Sequence, residues 1–447
     1  MNFKAISVAA LLCLATPLYA QTADDAVEAY RAGNYALALE ISRPLANSGD
    51  AVALNMMGIL YENGLGVPAD GFRAVSYYQA AADQDLPQAL NNLADHYLDG
   101  WSGQDPRPDL AIPLMLRAEE MGYAGVYNNL GVSYFEGHFG TPDSPRALEY
   151  FRRAHEAGYV DGTANVGWMY AHGEGVTQDL AEARRFYELA HANSGPLWAL
   201  ENLADMWREG EGGPSDLTRA VALYDEAAER GSSYAANWLG YYYDNGEAGL
   251  PVDYERAVAY FRQAAEQGST TGYYNLGSMY EGGRGVEADP DMARHYYQLA
   301  SDQGDADATY ELAVMYWHGD LGYVDEIEAR RLMELAAERG AELAFGDLGL
   351  MLRNGVGGAR DLLRAGEMFQ RGLEENDSLA YVNLGEVISD PAHPGHDPVR
   401  GLALCLRAVE ITSNEDRQVQ YSRRCNRLSR ALRPAQPAEA RAMMGSL

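Results

Sequence analysis

The sequence predicts an all-α solenoid of about ten two-helix repeats, with capping helices at both ends. The first observation is a small residue that recurs every 36 or 37 positions. The second is an apolar residue just before it, and the third is an aromatic residue three positions after it in most copies. Units of this length stack into solenoids. The small residues are Gly58, Ala94, Gly131, Gly167, Ala204, Gly240, Gly277, Ala313, Gly349 and Gly385.

Residues 1–20 have the pattern of a secretory signal peptide. Lys4 gives a positive start, an apolar run extends from Ala5 to Ala15, and residues 18–20 form a small-residue cleavage site. A membrane anchor is the alternative, but the apolar run is well short of the roughly 20 residues needed to span a bilayer. We therefore expect an exported protein, in the periplasm or outside the cell.

The segments after the signal peptide follow from the same spacing. Residues 21–49 are predicted to form a capping helical hairpin, in which Tyr30 and the turn Gly33-Asn34-Tyr35 have spacings related to those of the repeats. Ten repeats over residues 50–412 and a capping helix over 413–433 come next. Residues 434–447, which contain Pro434 and Pro437, are predicted to be a mobile tail.

Each repeat is predicted to be a helical hairpin. Counted from the small residue as position 0, positions −1, 0 and +3 lie on one face of a first helix, and glycine at +6 ends it. The Gly or Ala at position 0 lets a neighbouring helix approach closely. A second helix then carries alanines around an aromatic or apolar pair, as in Ala257, Phe261 and Ala264. Its predicted N-caps are Asp70, Asp143, Asp179, Asp216, Asp253, Asp289, Asp325, Asp361 and Asp397.

Two cysteines follow the signal peptide, Cys405 and Cys425. An even number of cysteines in an exported protein favours a disulfide, here one that joins the last repeat to the next helix. Two buried free thiols are the alternative interpretation.

The charge and composition exclude several classes of function. Without Lys4 the chain has 33 basic and 65 acidic side chains, a formal net charge of −32, so nucleic acid is not expected as a partner. The absence of any other lysine excludes mechanisms that need one, and neither GxSxG nor HExxH occurs. The loop containing His393 and His396 lacks a fixed ligand geometry, so we predict no metal and no cofactor.

The repeat pattern resembles the Sel1-like repeat, a relative of the tetratricopeptide repeat. The resemblance is clearest in Ala53–Leu86, Gly162–Asn193 and Gly272–Gly304 and covers roughly residues 50–409. It implies scaffolding or regulatory adaptor roles. Some exported members have a disulfide in every repeat and are linked to β-lactam binding, but this chain lacks those cysteines.

The resemblance to tetratricopeptide repeats also implies a concave surface formed by positions −6, −3, +1 and +4 of the first helices. These positions combine aromatic rings with amides and charged groups, a composition that suits a bound peptide. Packing of these rings against neighbouring copies is the alternative. The predicted partner-binding residues are Asn128, Trp168, Trp198, Glu201, Asp205, Arg208, Tyr234, Asn237, Tyr241, Asp244, Tyr274, Tyr310 and Trp317.

The sequence therefore predicts an exported, non-enzymatic adaptor that binds a protein or peptide segment, basic or amphipathic in character because the chain is acidic. The first alternative is a glycan- or peptidoglycan-binding module, in which the exposed rings stack on sugars. The second is a β-lactam-binding or hydrolysing enzyme.

Overall fold

The computed structural model describes residues 21–100, 104–373 and 377–445. These residues form 24 α-helices and one short 3₁₀ helix, Ala124–Val126, with no β-strand among them. The prediction of an all-α repeat solenoid is confirmed. The predicted signal peptide lies outside the described residues. Within those residues, no helix is both long and apolar enough to cross a bilayer.

Each repeat consists of an A helix followed by a B helix. The A helices are α3 (Ala51–Glu62), α5 (Pro87–Asp99), α7 (Tyr127–Glu136), α9 (Val160–His172), α11 (Leu197–Glu209), α13 (Ser233–Asn245), α15 (Thr270–Gly282), α17 (Ala306–His318), α19 (Glu342–Asn354) and α21 (Ser378–Ile388). The B helices are α4 (Gly71–Ala82), α6 (Pro108–Glu120), α8 (Ser144–Glu156), α10 (Leu180–Ala192), α12 (Leu217–Glu229), α14 (Tyr254–Glu266), α16 (Pro290–Asp302), α18 (Glu326–Arg339), α20 (Leu362–Leu373) and α22 (Pro398–Ile411).

Four further helices lie outside the repeats. They are α1 (Ala23–Arg31), α2 (Tyr35–Asn47), α23 (Glu415–Arg430) and α24 (Gln436–Met444). The chain divides into two compact units, residues 1–220 and 221–447, and the boundary falls inside α12. In each unit an A helix packs on its own B helix, and that B helix packs on the next A helix.

The turn between the A and B helices is closed in the same way in nine of the ten repeats; in the second, α6 follows Arg107, which makes no side-chain cap. The predicted aspartate accepts a hydrogen bond from a backbone N–H in the first turn of the B helix, as when Asp253 caps the N–H of Arg256 at 3.0 Å. The backbone N–H of the same aspartate donates to the carbonyl of the +3 residue, as from Asp253 to Tyr243 at 2.8 Å. All nine predicted aspartates cap their helices.

The small residue at position 0 permits direct contact between the A helix and an aromatic ring of the B helix. A Cβ atom built on Gly240 would lie 2.5 Å from Cε1 of Phe261, which no real packing allows. Rings occupy the same place opposite five other glycines of the series. These rings are Tyr78, Phe151, Tyr187, Tyr297 and Phe369. Two of the three copies with alanine instead bury a methionine in that part of the B helix, Met115 or Met333.

Two helices, α23 and α24, follow the last repeat in the second unit. Cys405 of α22 and Cys425 of α23 are joined by a disulfide, with their Cα atoms 5.5 Å apart. The segment predicted to be a mobile tail contains α24, whose Ala440 is fully buried.

Candidate partner-binding surface

We use the term A face for the surface formed by positions −6, −3, −2, +1 and +4 of the A helices. The helical period places these positions away from the buried residues at −1 and 0, and therefore away from the B helices. Position −2 was not among the predicted surface positions. The A face is described separately for each unit.

In the first unit, asparagine side chains link neighbouring repeats across the A face. Asn92 donates to Oδ1 of Asn55 at 3.0 Å, and the same bond joins position −2 of one repeat to position −3 of the repeat before it in two further pairs. Asn129 donates to Asn91 at 3.1 Å, and Asn165 donates to Asn128 at 2.8 Å. Asn128, predicted to hydrogen-bond a peptide, therefore also has a structural role as an acceptor.

The two predicted tryptophans of the first unit differ in their surroundings. Trp168 is half-buried: its ring stacks on His172 with centroids 4.2 Å apart and meets the edge of Phe135 from the preceding repeat at 5.2 Å. Trp168 thus contributes to packing between repeats. Trp198 is 36% exposed and contacts Tyr187 edge-on, with centroids 6.2 Å apart.

The predicted charged residues of the first unit form a local group on α11. Arg208 pairs with Asp205 at 3.1 Å and with Glu209 at 2.7 Å. Glu201, Asp205 and Arg208 are all half-buried. The guanidinium lies between two carboxylates, and with Glu201 the group carries three acidic side chains against one basic side chain, so this part of the A face stays acidic.

In the second unit, the most exposed rings of the A face lie on α13. Tyr234 and Tyr241 are 41% and 42% exposed, and both meet the half-buried ring of Trp238 edge-on, at 6.4 and 5.8 Å. Tyr241 also donates a hydrogen bond to Glu247 at 3.2 Å, which raises the pKa of its hydroxyl. Asn237 lies on the same helix and donates to Ser269 at 2.8 Å.

A charged pair and a serine adjoin these rings. Asp244 is paired with Arg284 at 2.5 Å, and the same guanidinium donates to Ser278 at 3.0 Å. The pair joins two consecutive repeats, because Asp244 lies on α13 and Arg284 lies just after the end of α15. The charge of Asp244, one of the predicted partner-binding residues, is thus balanced by Arg284.

Further along the second unit the A face becomes acidic. Glu281 accepts a hydrogen bond from Tyr297 at 2.8 Å, and Tyr274 lies beside that ring at 5.7 Å. Burial, followed by the negative charges of Glu281 and Asp307, raises the pKa of Glu311 to about 7. Burial, followed by the charge of Glu311 and its acidic neighbours, also raises the pKa of the Tyr274 hydroxyl.

The last predicted residues lie on α17. Tyr310 donates to Asp347 of the next repeat at 3.0 Å, so a tyrosine–aspartate pair takes the place that two asparagines have in the first unit. Burial raises the pKa of Asp347 against the opposing effect of that hydrogen bond. Trp317 is half-buried, and its ring stacks on that of His318 at 5.5 Å.

A half-buried charge network lies at the end of the A face near the C-terminal helices. Glu386 pairs with Arg424 at 2.6 Å and with Arg353 at 3.1 Å, and Arg424 also donates to Asn383 at 2.6 Å. Burial opposes ionisation of Glu386, but the bond to Arg424 and the two positive charges lower its pKa overall. These arginines are therefore engaged within the fold.

The described residues contain no group of three or more His, Cys, Asp or Glu side chains that could hold a metal ion. His393 accepts from the backbone N–H of Gly395 at 3.0 Å, and Nδ1 of His396 lies 3.1 Å from the carbonyl of Asp390. Both imidazoles therefore hydrogen-bond within their own loop.

The predicted surface positions −6, −3, +1 and +4 do not include position −2, whose side chains also lie on the A face. Position −2, which carries the donor asparagines, Trp238 and Glu311, was omitted although it is Asn in six of the ten copies. The clue available for the first unit was the pair of adjacent asparagines at −3 and −2, as in Asn91-Asn92 and Asn128-Asn129.

The fold and this surface define a class of protein: an all-α helical-repeat scaffold. The chain belongs to the Sel1-repeat family, whose members generally mediate protein–protein interaction. The Sel1 repeat model matches nine segments that together cover most of the sequence. They are residues 51–86, 87–123, 126–159, 160–192, 199–232, 233–269, 270–305, 306–340 and 347–377.

Two solved structures support the assignment. One is a protective antigen present in uropathogenic Escherichia coli strains displaying an SLR fold; it is 30% identical, with a TM-score of 0.68, over 95% of this chain and 91% of that one. The other, a Sel1 repeat protein from Oxalobacter formigenes, is 27% identical with a TM-score of 0.54, over 70% of this chain and 89% of that one.

A curated relative matches over a short segment only. Protein sel-1 homolog 2 of Mus musculus is 44% identical over 50 residues, which are 11% of this chain and 7% of the mouse protein. This match is therefore evidence for the repeat and not for a shared activity.

Proposed function

We propose that this protein is an exported, non-enzymatic adaptor that binds a protein segment along the A face of its repeats. The observation that carries the proposal is the group of rings on α13, where Tyr234 and Tyr241 leave about two fifths of their surface exposed beside Trp238. Exposed aromatic residues are the commonest energetic anchors of protein interfaces.

The charges of the second unit indicate the character of the partner. Glu281, Asp307 and Glu311 lie close together, and no arginine pairs with them in the residues described. A segment with basic and apolar side chains would neutralise these carboxylates and cover the rings of α13. The overall negative charge would also speed the approach of such a partner.

Export is proposed from the N-terminal pattern of residues 1–20 and is consistent with the disulfide between Cys405 and Cys425, since disulfides persist mainly in oxidising compartments. Sequencing the N-terminus of protein recovered from the cell envelope tests it. Protein that begins at Gln21 supports export, and uncleaved cytoplasmic protein contradicts it.

Site-specific photocrosslinking in intact cells tests the binding surface. A photoreactive phenylalanine analogue is placed at Tyr241 on the A face, and a matched control at Tyr254 of α14, which is 41% exposed. We expect a discrete protein adduct from position 241 and none from position 254. Equal labelling from both positions would contradict the proposal, and an adduct with polysaccharide would favour the glycan-binding alternative.

A further inference from the structure

The ninth repeat lacks a side chain at position −3 of the A face, where seven of the eight preceding repeats have a large polar or aromatic one. Position −3 is Asn, Glu or Tyr in those seven repeats and Ala164 in the fourth, whereas in the ninth it is Gly346. Gly346 lies within α19, is exposed, and has no atom within 4 Å of where a Cβ would be. Tyr310 of the eighth repeat donates to Asp347 of the ninth, but Gly346 has no side chain with which to make the equivalent bond to Asn383 of the tenth.

A cleft of about 570 Å³ lies over this glycine. Phe345, Leu350 and Met368 are among the apolar residues that line it. At its edge, Leu343 and Leu379 are 67% and 41% exposed, which is unusual for leucine. The volume is within the range of roughly 300–1,000 Å³ that is typical of ligand-binding pockets.

The two ends of the cleft carry opposite charges. On one side it shares Tyr310, Glu342 and Leu343 with a second depression of about 520 Å³, which is lined by Asp307 and Glu311. Arg371 and Arg417 also line the first cleft, on α20 and α23. Neither guanidinium forms an ion pair with a carboxylate among the described residues, although Arg371 lies 5.8 Å from the ring of Phe345.

The remaining carboxylates of the cleft are already engaged in the fold. Asp347 accepts a hydrogen bond from the hydroxyl group of Tyr310. Asp377 caps α21 by accepting hydrogen bonds from the backbone N–H groups of Leu379 and Ala380. The charges left to meet a ligand are thus negative towards α17 and positive towards α23, with an apolar floor between them.

We propose that this cleft binds one aromatic or branched aliphatic side chain of a protein segment that carries basic residues on one side of this anchor and acidic residues on the other. The anchor fills the space over Gly346, the basic residues face Asp307, Glu311 and Glu342, and the acidic residues face Arg371 and Arg417. This inference rests on the proposed function, because it specifies the sequence character of the bound segment.

A set of synthetic peptides tests the charge pattern directly. The peptide Arg-Arg-Gly-Trp-Gly-Glu-Glu is compared by fluorescence anisotropy with an all-basic and an all-acidic version and with one in which Gly replaces Trp. We expect the first peptide to bind at least about tenfold more tightly than each of the others. Equal affinity for the all-basic peptide, or binding of free indole as tight as that of the peptide, would overturn the proposal.

A variant that fills the cleft tests its location. Gly346→Tyr places at position −3 the residue that the two preceding repeats have there, and it should weaken binding of the first peptide at least about tenfold. The matched control Gly346→Ala adds only a methyl group and should keep the affinity within about twofold. Both variants should melt no lower than the wild type, because the site is open.

The outcomes separate this inference from the proposed function. If Gly346→Tyr binds the peptide normally, the cleft is not the anchor site. If, in addition, position 241 still crosslinks a protein in cells, the adaptor function stands and only the cleft is rejected. If Gly346→Tyr binds the peptide normally and position 241 gives no protein crosslink, both proposals are rejected.

Discussion

At the scale of single residues, the repeat depends on a glycine and a ring that touch. Gly240 has no room for a Cβ because Phe261 lies against its Cα, whereas Gly346 has open space around it. Two glycines in equivalent helices therefore have opposite roles: one permits packing and the other leaves a cleft. The sequence pattern predicted the first role, since position 0 is always Gly or Ala.

Substitution of Gly240 tests this contact. Gly240→Leu should overpack the interface between α13 and α14 and lower the free energy of unfolding by roughly 1–3 kcal/mol. Gly346→Ala is the control and should be neutral or slightly stabilising, since alanine is favoured over glycine in a helix. The thermal midpoints measure both effects, and an unchanged midpoint for Gly240→Leu would contradict the packing described.

The acidic group around Glu311 predicts a pH dependence of stability. The folded pKa of about 7 is above the ordinary value of 4.5, so the folded state retains a proton that the unfolded state loses. Glu311 therefore reduces stability as the pH rises from about 4.5 to 7, because its charge forms beside Glu281 and Asp307.

Replacement by glutamine removes this penalty. Discounted for partial exposure, Glu311→Gln should stabilise the protein at pH 8 by on the order of 1–2 kcal/mol, and the difference should vanish below pH 4.5. Urea unfolding across this pH range is the measurement. A difference of the same size at pH 4 and pH 8 would show that Glu311 is not titrating in this way.

At the scale of elements, the aspartate that precedes nine of the ten B helices holds the hairpin together. It caps the helix with its side chain and closes the turn with its own N–H. The tenth repeat departs from the pattern, because it has Ile388 in place of the aromatic residue at +3 and no glycine at +6. Even so, Asp397 caps α22, and its backbone N–H donates to the carbonyl of Ile388 at 2.8 Å. These two bonds explain how the tenth repeat forms the same hairpin although its sequence differs.

Removal of one cap should have a measurable cost. Asp253→Ala should destabilise the protein by about 1 kcal/mol, through loss of the bond to the N–H of Arg256. Glu255→Ala is the matched control, since Glu255 is an acidic residue in the first turn of the same helix without a capping bond in the described structure. Chemical denaturation of both variants decides whether capping or mere negative charge matters.

The disulfide links two elements at the end of the second unit. Its cysteines are 20 residues apart, and a loop of about that length is stabilised by roughly 3 kcal/mol in the chain-entropy model. Reduction should therefore accelerate amide hydrogen exchange in α22 and α23 and leave the first unit unchanged. Two free thiols found by mass spectrometry in exported protein would contradict the pairing.

At the scale of the whole molecule, periodicity predicts more about the fold than about the site. A small residue every 36 or 37 positions was enough to predict the helical pairs, their caps and the buried rings. It could not predict contacts between side chains of neighbouring repeats, because those depend on two residues in different copies. The bonds between Asn92 and Asn55 and the packing of Trp168 on Phe135 are of this kind.

The same reasoning explains why the candidate site was predicted only in outline. Tyr234 and Tyr241 were assigned to the surface from their positions, and they are exposed. The cleft over Gly346 arises from an absent side chain, which a search for functional residue types does not register. The acidic group depends on Glu311 at position −2, which the assumed surface positions omitted.

The central claim is that the A face is where a protein partner binds. The most direct measurement is the affinity of the protein identified by crosslinking for Tyr234→Ala/Tyr241→Ala, compared with the control Tyr254→Ala on a B helix. We predict that the double variant binds more than about tenfold more weakly while the control binds normally, with thermal midpoints unchanged, because exposed aromatic anchors often contribute about 2 kcal/mol each. Equal affinities for the double variant and the wild type would contradict the claim.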